Sequence, residues 1–252
     1  MLLENRVALV TGAGSGIGAA GAVALAREGA KVIVTDKNGD TAHAIAARIK
    51  DGGGKANART LDVTEDDALV AAIEETAKAE GRLDILHSHA GVQIEGKLEQ
   101  VSIADMDLSW RLNVRSHFVA AKAALGPMRR QGRGSVIITS SNSGVQYDRE
   151  MIAYATTKHA VLAMTRQMAA DYAREGIRFN ALCPGFIDTP FNLGFEVQMG
   201  GREKLEEYIR DVIPMGRFGT VEEIADAIVF LASDRSSFMT GHAFVVDGGE
   251  CI

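Results

Sequence analysis

The sequence predicts an α/β fold in which one doubly wound, Rossmann-like parallel sheet of about seven strands carries helices on both faces. Two observations carry this expectation. Short β-branched runs alternate along the chain with longer Ala-rich stretches of helical period. Several of those runs are apolar throughout rather than alternating, as strands covered on both faces must be. Length sets the domain count, because 252 residues with 46% hydrophobic content support one sizeable core and not two large ones. Residues 1–252 are therefore read as a single domain.

The elements follow in order. Val7–Val10 is a fully apolar first strand, followed by a glycine-rich turn and an Ala-rich helix over Ile17–Glu28. Lys31–Thr35 is the second strand and Gly39–Lys50 the second helix. Ala56–Leu61, Leu83–Ser88, Ser135–Thr139, Arg178–Leu182 and Ala243–Val246 complete the strands. Glu65–Glu80, Ile103–Arg130, Ile152–Arg174 and Val221–Ala232 are the intervening helices. One stretch departs from this alternation: Asp188–Gly219, with Pro190, Pro214 and two Gly-containing segments. An insertion near the carboxyl end of a strand is where doubly wound folds build substrate sites under a lid, although a merely irregular connection has the same signature.

Composition narrows the function classes. A net charge of −6 leaves no basic footprint for nucleic acid, and 24% charged residues is ordinary for a soluble protein. No segment approaches the roughly 20 apolar residues that span a bilayer, and the amino terminus lacks a signal-like pattern. With Cys183 and Cys251 alone there is neither a disulfide framework nor a Cys-rich zinc site, so a cytoplasmic setting is expected.

Thr11-Gly12-Ala13-Gly14-Ser15-Gly16-Ile17-Gly18 lies between a strand and a helix, the context a dinucleotide turn needs. Glycines allow a tight turn and close backbone approach, and a helix amino terminus attracts pyrophosphate. The spacing is G-x-x-x-G-x-G rather than G-x-G-x-x-G, and a plain structural turn has similar composition. Asp36 closes the next strand, about twenty residues on, where a carboxylate can bond both ribose hydroxyls of NAD and repel the 2′-phosphate of NADP. NAD is accordingly the expected cofactor and NADP the lesser candidate, with Lys37 able to soften the preference. Asp62, with Val63, ends the third strand, placed either to meet the adenine edge or to cap the next helix.

Tyr154 and Lys158 lie four residues apart, on one helix face, with Ser141 upstream. Phenols titrate near about 10, and a neighbouring ammonium lowers that value toward useful proton transfer with an alcohol or ketone. Beside a dinucleotide turn, this pair points to redox at a carbon bearing oxygen.

At these residues the chain resembles the single-domain short-chain dehydrogenase/reductase family almost end to end. The family's T-G-x-x-x-G-I-G turn is Thr11–Gly18, its Y-x-x-x-K pair is Tyr154 and Lys158, its serine is Ser141 and its helix asparagine is Asn113. Its N-x-x-x-P-G segment is Asn180–Gly185, and its terminal strand and turn are Gly241–Gly249. The resemblance implies that Tyr154 exchanges the hydroxyl proton, Ser141 bonds the substrate oxygen, and Lys158 lowers the phenol's pKa and holds the nicotinamide ribose. It implies that Asn113 positions a water, that Thr189 bonds the carboxamide, and that Ile187 packs at the same end. The cofactor set it implies is Gly12, Ser15, Gly16, Ile17, Gly18, Asp36, Asp62, Val63, Ala90, Gly91, Tyr154, Lys158, Pro184, Gly185, Ile187 and Thr189.

One departure stands out. The family's N-N-A-G reads Ser88-His89-Ala90-Gly91, so both asparagine links must be remade, with His89 as a hydrogen-bonding replacement. His87 and His89 share one side of a strand, but no third ligand is evident nearby and no metal is expected. His159 is expected to point away from the active face. Candidate substrate contacts are Gln93, Ile94, Ser143, Gln146, Phe186 and Phe191–Met199, a mixture that suits a cyclic or polyhydroxylated secondary alcohol. An acyl-carrier-protein ketoreductase is the alternative, on the basic cluster Arg129, Arg130 and Arg133, and a non-catalytic NAD-binding sensor is the alternative of another class. The two long helices carry apolar and small residues on more than one face, which suggests burial between copies, and the resemblance implies a homotetramer.

Overall fold

The computed structural model describes residues 1–252. Its strands are β1 (Val7–Thr11), β2 (Lys31–Asp36), β3 (Lys55–Thr60), β4 (Ile85–Ser88), β5 (Gly134–Thr139), β6 (Ile177–Pro184) and β7 (Ala243–Val246). They form one seven-stranded sheet in the order β3-β2-β1-β4-β5-β6-β7, with every pairing parallel. The order reverses between β1 and β4, and a crevice opens there at the carboxyl ends of the strands. The helices are α1 (Gly16–Arg27), α2 (Gly39–Asp51), α3 (Asp66–Glu80), α4 (Ile103–Trp110), α5 (Ser116–Gln131), α6 (Ile152–Tyr172), α7 (Leu193–Met199), α8 (Arg202–Val212) and α9 (Val221–Ala232).

The core is two apolar layers, one on each face of the sheet. Val10, Val32, Val34 and Ile137 pack with Leu25 of α1 and Ile228 of α9 on one side. Leu9, Leu86, Val136 and Ile138 pack with Ile73 of α3 and Met128 of α5 on the other. Alternate residues of one strand thus serve opposite layers, which is why the central strands read as continuous apolar runs.

Most element ends shift by a residue or two from expectation, and two differences bear on the site and its support. The long helix expected over Ile103–Arg130 is interrupted at Arg111–Arg115 by a π-turn, in which the Ser116 N–H reaches the Arg111 carbonyl five residues back. Such bulges are frequent at functional sites, and this one contains Asn113. Strand β4 begins at Ile85 rather than Leu83, and just before it Asp84, 2% exposed, buries a carboxylate. It accepts the Val7 N–H at 2.9 Å and takes Arg82 through Nε at 2.7 Å and a terminal nitrogen at 2.6 Å.

That carboxylate joins the amino ends of β1 and β4, so Asp84→Ala leaves the Val7 N–H and the Arg82 guanidinium without their acceptor. The expected cost is about 2–4 kcal/mol in urea unfolding, with kcat of the surviving folded protein unchanged.

Candidate active site

A cavity of about 1020 Å³ opens over the switch point. At its cofactor end, Gly12 and Gly16 take positive φ values of 64° and 51° in the turn between β1 and α1. A Cβ on Gly12 would come within 2.9 Å of the Ala90 Cα, so the two segments touch only because no side chain intervenes. Ser15 caps α1 in extended conformation without using its side chain, and the first-turn amides of a helix have no intrahelical acceptor. A pyrophosphate fits that end. Gly18 does not line the cavity; a Cβ there would sit 2.2 Å from the Gly12 carbonyl oxygen and 2.8 Å from the His89 ring, so its place is in helix–strand packing.

Asp36 stands at the end of β2, where Oδ2 accepts the Gly14 N–H and Oδ1 the Asn38 N–H, both at 2.9 Å. Each oxygen keeps a lone pair for a ribose hydroxyl. Asp62 also lines the cavity, but its Oδ1 accepts the Thr64 N–H and hydroxyl, which hold its carboxyl below the usual range. The cap of α3 is Glu65, so capping is not the role of Asp62. Val63, Ala90, Gly91, Ser15, Ile17, Pro184, Gly185, Ile187 and Thr189 line the same cavity.

At the catalytic end, Ser141, Tyr154 and Lys158 converge, 7%, 6% and 3% exposed. The Lys158 ammonium donates to the Thr139 carbonyl at 3.0 Å, and the Ser140 hydroxyl donates to the Lys158 carbonyl at 2.9 Å. Both serines line the cavity, but the Ser140 hydroxyl is spent on that carbonyl, while the Ser141 hydroxyl donates to Asn142 Oδ1 at 2.9 Å. The expectation that Lys158 depresses the phenol is corrected: burial pushes Tyr154 up to about 12, with the Ser141 hydroxyl partly offsetting it. Lys158 sits 5.4 Å from the Tyr154 ring centroid, and burial lowers its own ammonium to about 8. Both groups shift toward their neutral forms, as desolvation requires.

Asn113 is fully buried behind this end rather than on the cavity wall. Its Nδ2 donates to the Val92 carbonyl at 2.8 Å and the Thr157 hydroxyl at 3.1 Å, and its Oδ1 accepts the Val92 N–H at 2.8 Å. Both amide protons therefore hold protein, fixing the segment beyond Gly91 against α6.

The remade links around Ser88 and His89 are well defined. The Thr139 hydroxyl lies 3.0 Å from both His87 Nε2 and His89 Nδ1, and, with one proton to give, it accepts from at least one of the two rings. Ser88 Oγ bonds His117 Nδ1 at 2.7 Å, and the Thr11 hydroxyl accepts the His89 and Ala90 amides. His87 Nδ1 and His117 Nε2 are buried without partners. Thr139, His117 and Thr157 escaped sequence reasoning because only tertiary pairing brings them here.

At the substrate end, Gln93, Ser143 and Phe186 line the cavity, and Phe191 approaches Tyr154 with ring centroids 6.3 Å apart. Gln146 does not line it; its amide donates to Asp148 and Glu250, each at 3.3 Å, from behind the wall. The inserted segment folds as α7 and α8 around Phe186, Phe195 and Tyr208, and Arg202 pairs with Asp188 at 2.8 Å. His159 bonds the Ala155 carbonyl and stacks on Tyr147 at 5.0 Å, away from the Lys158 ammonium. No helix is long and apolar enough to cross a membrane.

A family model described as enoyl-(acyl carrier protein) reductase matches residues 12–250. The chain is 40% identical to 2-(S)-hydroxypropyl-CoM dehydrogenase 3 of Xanthobacter autotrophicus, over 98% of this chain and 97% of that one. The chain belongs to the short-chain dehydrogenase/reductase family. The chain is also 36% identical to the 3-oxoacyl-[acyl-carrier-protein] reductase of Thermotoga maritima, across 100% of both chains. Among solved structures, the gluconate 5-dehydrogenase of Burkholderia cenocepacia, in complex with NADP and tartrate, superposes with TM-score 0.92 at 35% identity, covering 98% of this chain and 96% of that one. The protein is thus an NAD(P)-dependent oxidoreductase acting on CH–OH groups.

The buried imidazoles set a pH limit on the fold. Burial, its largest cause, holds His89 down to about 4 from 6.5 and holds His87 and His117 well below 6.5. Unfolded rings take up protons as the pH falls below 6.5 while the folded ones stay neutral, so stability is full above 6.5 and is lost toward 4. Unfolding free energies in urea should be nearly flat from pH 7.5 to 6.5 and fall from there to 5, toward a limiting slope of about 1.4 kcal/mol per unit for each ring, and His89→Asn should make that slope shallower.

Proposed function

We propose that this enzyme interconverts a cyclic or polyhydroxylated secondary alcohol and its ketone, using NAD in preference to NADP. Asp36 supports the cofactor preference: its carboxylate is tied to the glycine turn by the Gly14 amide, where the 2′-phosphate of NADP would meet like charge. Lys37 lines the same end of the cavity and tempers this, and the Burkholderia relative was solved with NADP. When bound, the cofactor accepts or supplies the hydride.

The chain's own residues manage orientation and the proton. Tyr154 exchanges the hydroxyl proton with the substrate oxygen, which Ser141 holds by a hydrogen bond. Lys158, anchored on Thr139, presents its remaining protons to the nicotinamide ribose and to the proton path; Asn113 holds the backbone beside that path. Thr189 and Ile187 receive the carboxamide end, and α7 and α8 act as the lid. The kinship with an acyl-carrier-protein reductase favours a second reading, but two of its expected basic contacts are taken: Arg129 pairs with Glu175 and lies over Tyr172, and Arg133 pairs with Asp234. A sensor without turnover has no support among relatives named as dehydrogenases and reductases.

Assembly into a homotetramer belongs to the same reading. Ile103, Trp110, Phe118 and Ile152, between 43% and 84% exposed, leave apolar surface along α4 to α6. The two free cysteines, Cys183 and Cys251, suit a reducing cytoplasm.

Reduction of NAD+ and NADP+ across secondary alcohols, polyols and cyclic diols tests the proposal. Tyr154→Phe should lower kcat by about 10²–10⁴-fold with every substrate. Asp36→Ala should raise the NADP+/NAD+ ratio of kcat/KM roughly tenfold, and an unchanged ratio would remove Asp36 from cofactor selection.

A further inference from the structure

The chain's last turn places an unpaired acid in the catalytic cavity. After β7, Asp247 accepts the Gly249 and Cys251 amides on its two carboxylate oxygens, each at 2.8 Å. Gly248 and Gly249 take φ values of 69° and 94°, and the Gly248 carbonyl accepts the Met215 N–H at 3.1 Å. This turn is built rather than loose, and it aims Glu250 at the wall beside Ser141. Asn142 Nδ2 donates to Glu250 Oε2 at 2.9 Å, and Gln146 Nε2 lies 3.3 Å from Oε1. Asn142 Oδ1 in turn accepts the Ser141 hydroxyl at 2.9 Å, so one short chain of hydrogen bonds links Glu250 to the residue beside the reacting oxygen.

No cation neutralises Glu250: none of the ion pairs in the molecule includes it. Two neutral amides leave lone pairs on both oxygens free, and the residue lines the cavity. A carboxylate so placed calls for a donor from the ligand and repels another anion. We propose that Glu250 is a specificity-determining residue that accepts a hydrogen bond from a second hydroxyl of the substrate, selecting neutral diols and polyols over hydroxy acids. This deepens the alcohol-dehydrogenase reading above and rests on it.

Burial, reinforced by Asp148 and Asp247, pushes the Glu250 carboxyl up to about 7. Asp148 and Arg149 follow β5 on the cavity wall, Tyr208 faces from α8, and Asp247 and Cys251 belong to the same turn. Above about 7 the group is an anion that excludes acids; below it the protonated form accepts and donates and discriminates less.

The test compares the vicinal cis-cyclohexanediol with its analogue in which a carboxylate replaces one hydroxyl. Two quantities are read: kcat/KM with NAD+ in the native enzyme, and calorimetric affinity in the NAD+-loaded Tyr154→Phe protein. The native preference for the diol should be at least about tenfold, from KM more than kcat, and should grow with pH through about 7. Glu250→Gln should collapse that preference and flatten its pH dependence, and Glu250→Asp should restore part of it. An equal ratio in native and Glu250→Gln proteins, including binding of neither compound, overturns the assignment of Glu250. Tyr154-dependent turnover of other secondary alcohols, measured alongside, decides the underlying reading separately.

Discussion

The rest of the site depends on one buried cation. Lys158 enters the core from α6, and its ammonium is satisfied by the carbonyl of Thr139 at the end of β5. A charge removed from water must find such partners, so the geometry around it is tightly constrained. The Ser140 hydroxyl returns the contact by donating to the Lys158 carbonyl, and Gly144 lies so close that a Cβ would stand 2.7 Å from that oxygen. With helix and strand fastened here, Tyr154 falls one turn earlier on the same face and Ser141 one residue beyond the strand pair. Gly91 passes the other side, where a Cβ would be 3.5 Å from the ammonium and 2.8 Å from Asn113 Oδ1. The grouping of Ser141, Tyr154 and Lys158 is therefore a consequence of how α6 packs on β5, rather than of any loop finding it.

The same strand ends carry the cofactor end. Because β1 and β4 are neighbours whose connections leave in opposite directions, their carboxyl ends separate, and Gly12, Gly16, Ala90 and Gly91 are among the residues that line the gap. Thr11 closes the strand junction beneath by accepting two amides from His89 and Ala90. Thr139 does similar work on the other side of β4, binding two imidazoles through its hydroxyl and the lysine through its carbonyl. Lys158 and the two imidazoles thus meet at one residue, and the Lys158 charge adds to burial in holding His89 down.

Much of this was legible in the sequence because it is written in local periodicity. Continuous apolar runs marked the central strands, the spacing of Tyr154 and Lys158 marked a shared helix face, and Asp36 marked the end of β2. What escaped depends on tertiary geometry. Nothing in Arg111–Arg115 distinguishes a π-turn from ordinary helix, since the wide turn comes from packing of Asn113 against Val92 and Thr157. Gln146 was placed on the cavity wall by its loop position, but Asp148 and Glu250 draw its amide behind the wall. Glu250 itself lies more than one hundred positions from the loop it joins, a distance over which spacing carries no signal.

The titration states also reveal what the protein alone does and does not supply. Burial moves Tyr154 up to about 12 and Lys158 down to about 8. Near neutral pH the phenol is therefore protonated beside a lysine that is still largely charged. That state is ready to give a proton to a developing alkoxide, the direction of ketone reduction. Alcohol oxidation demands the reverse, a phenolate in a desolvated site, and Ser141 offsets only part of the cost. Added positive charge near the phenol is the remaining physical means of lowering it, and an oxidised nicotinamide carries such a charge. Under the proposed reaction, Tyr154 would therefore serve more readily as acid than as base until more positive charge is brought beside it.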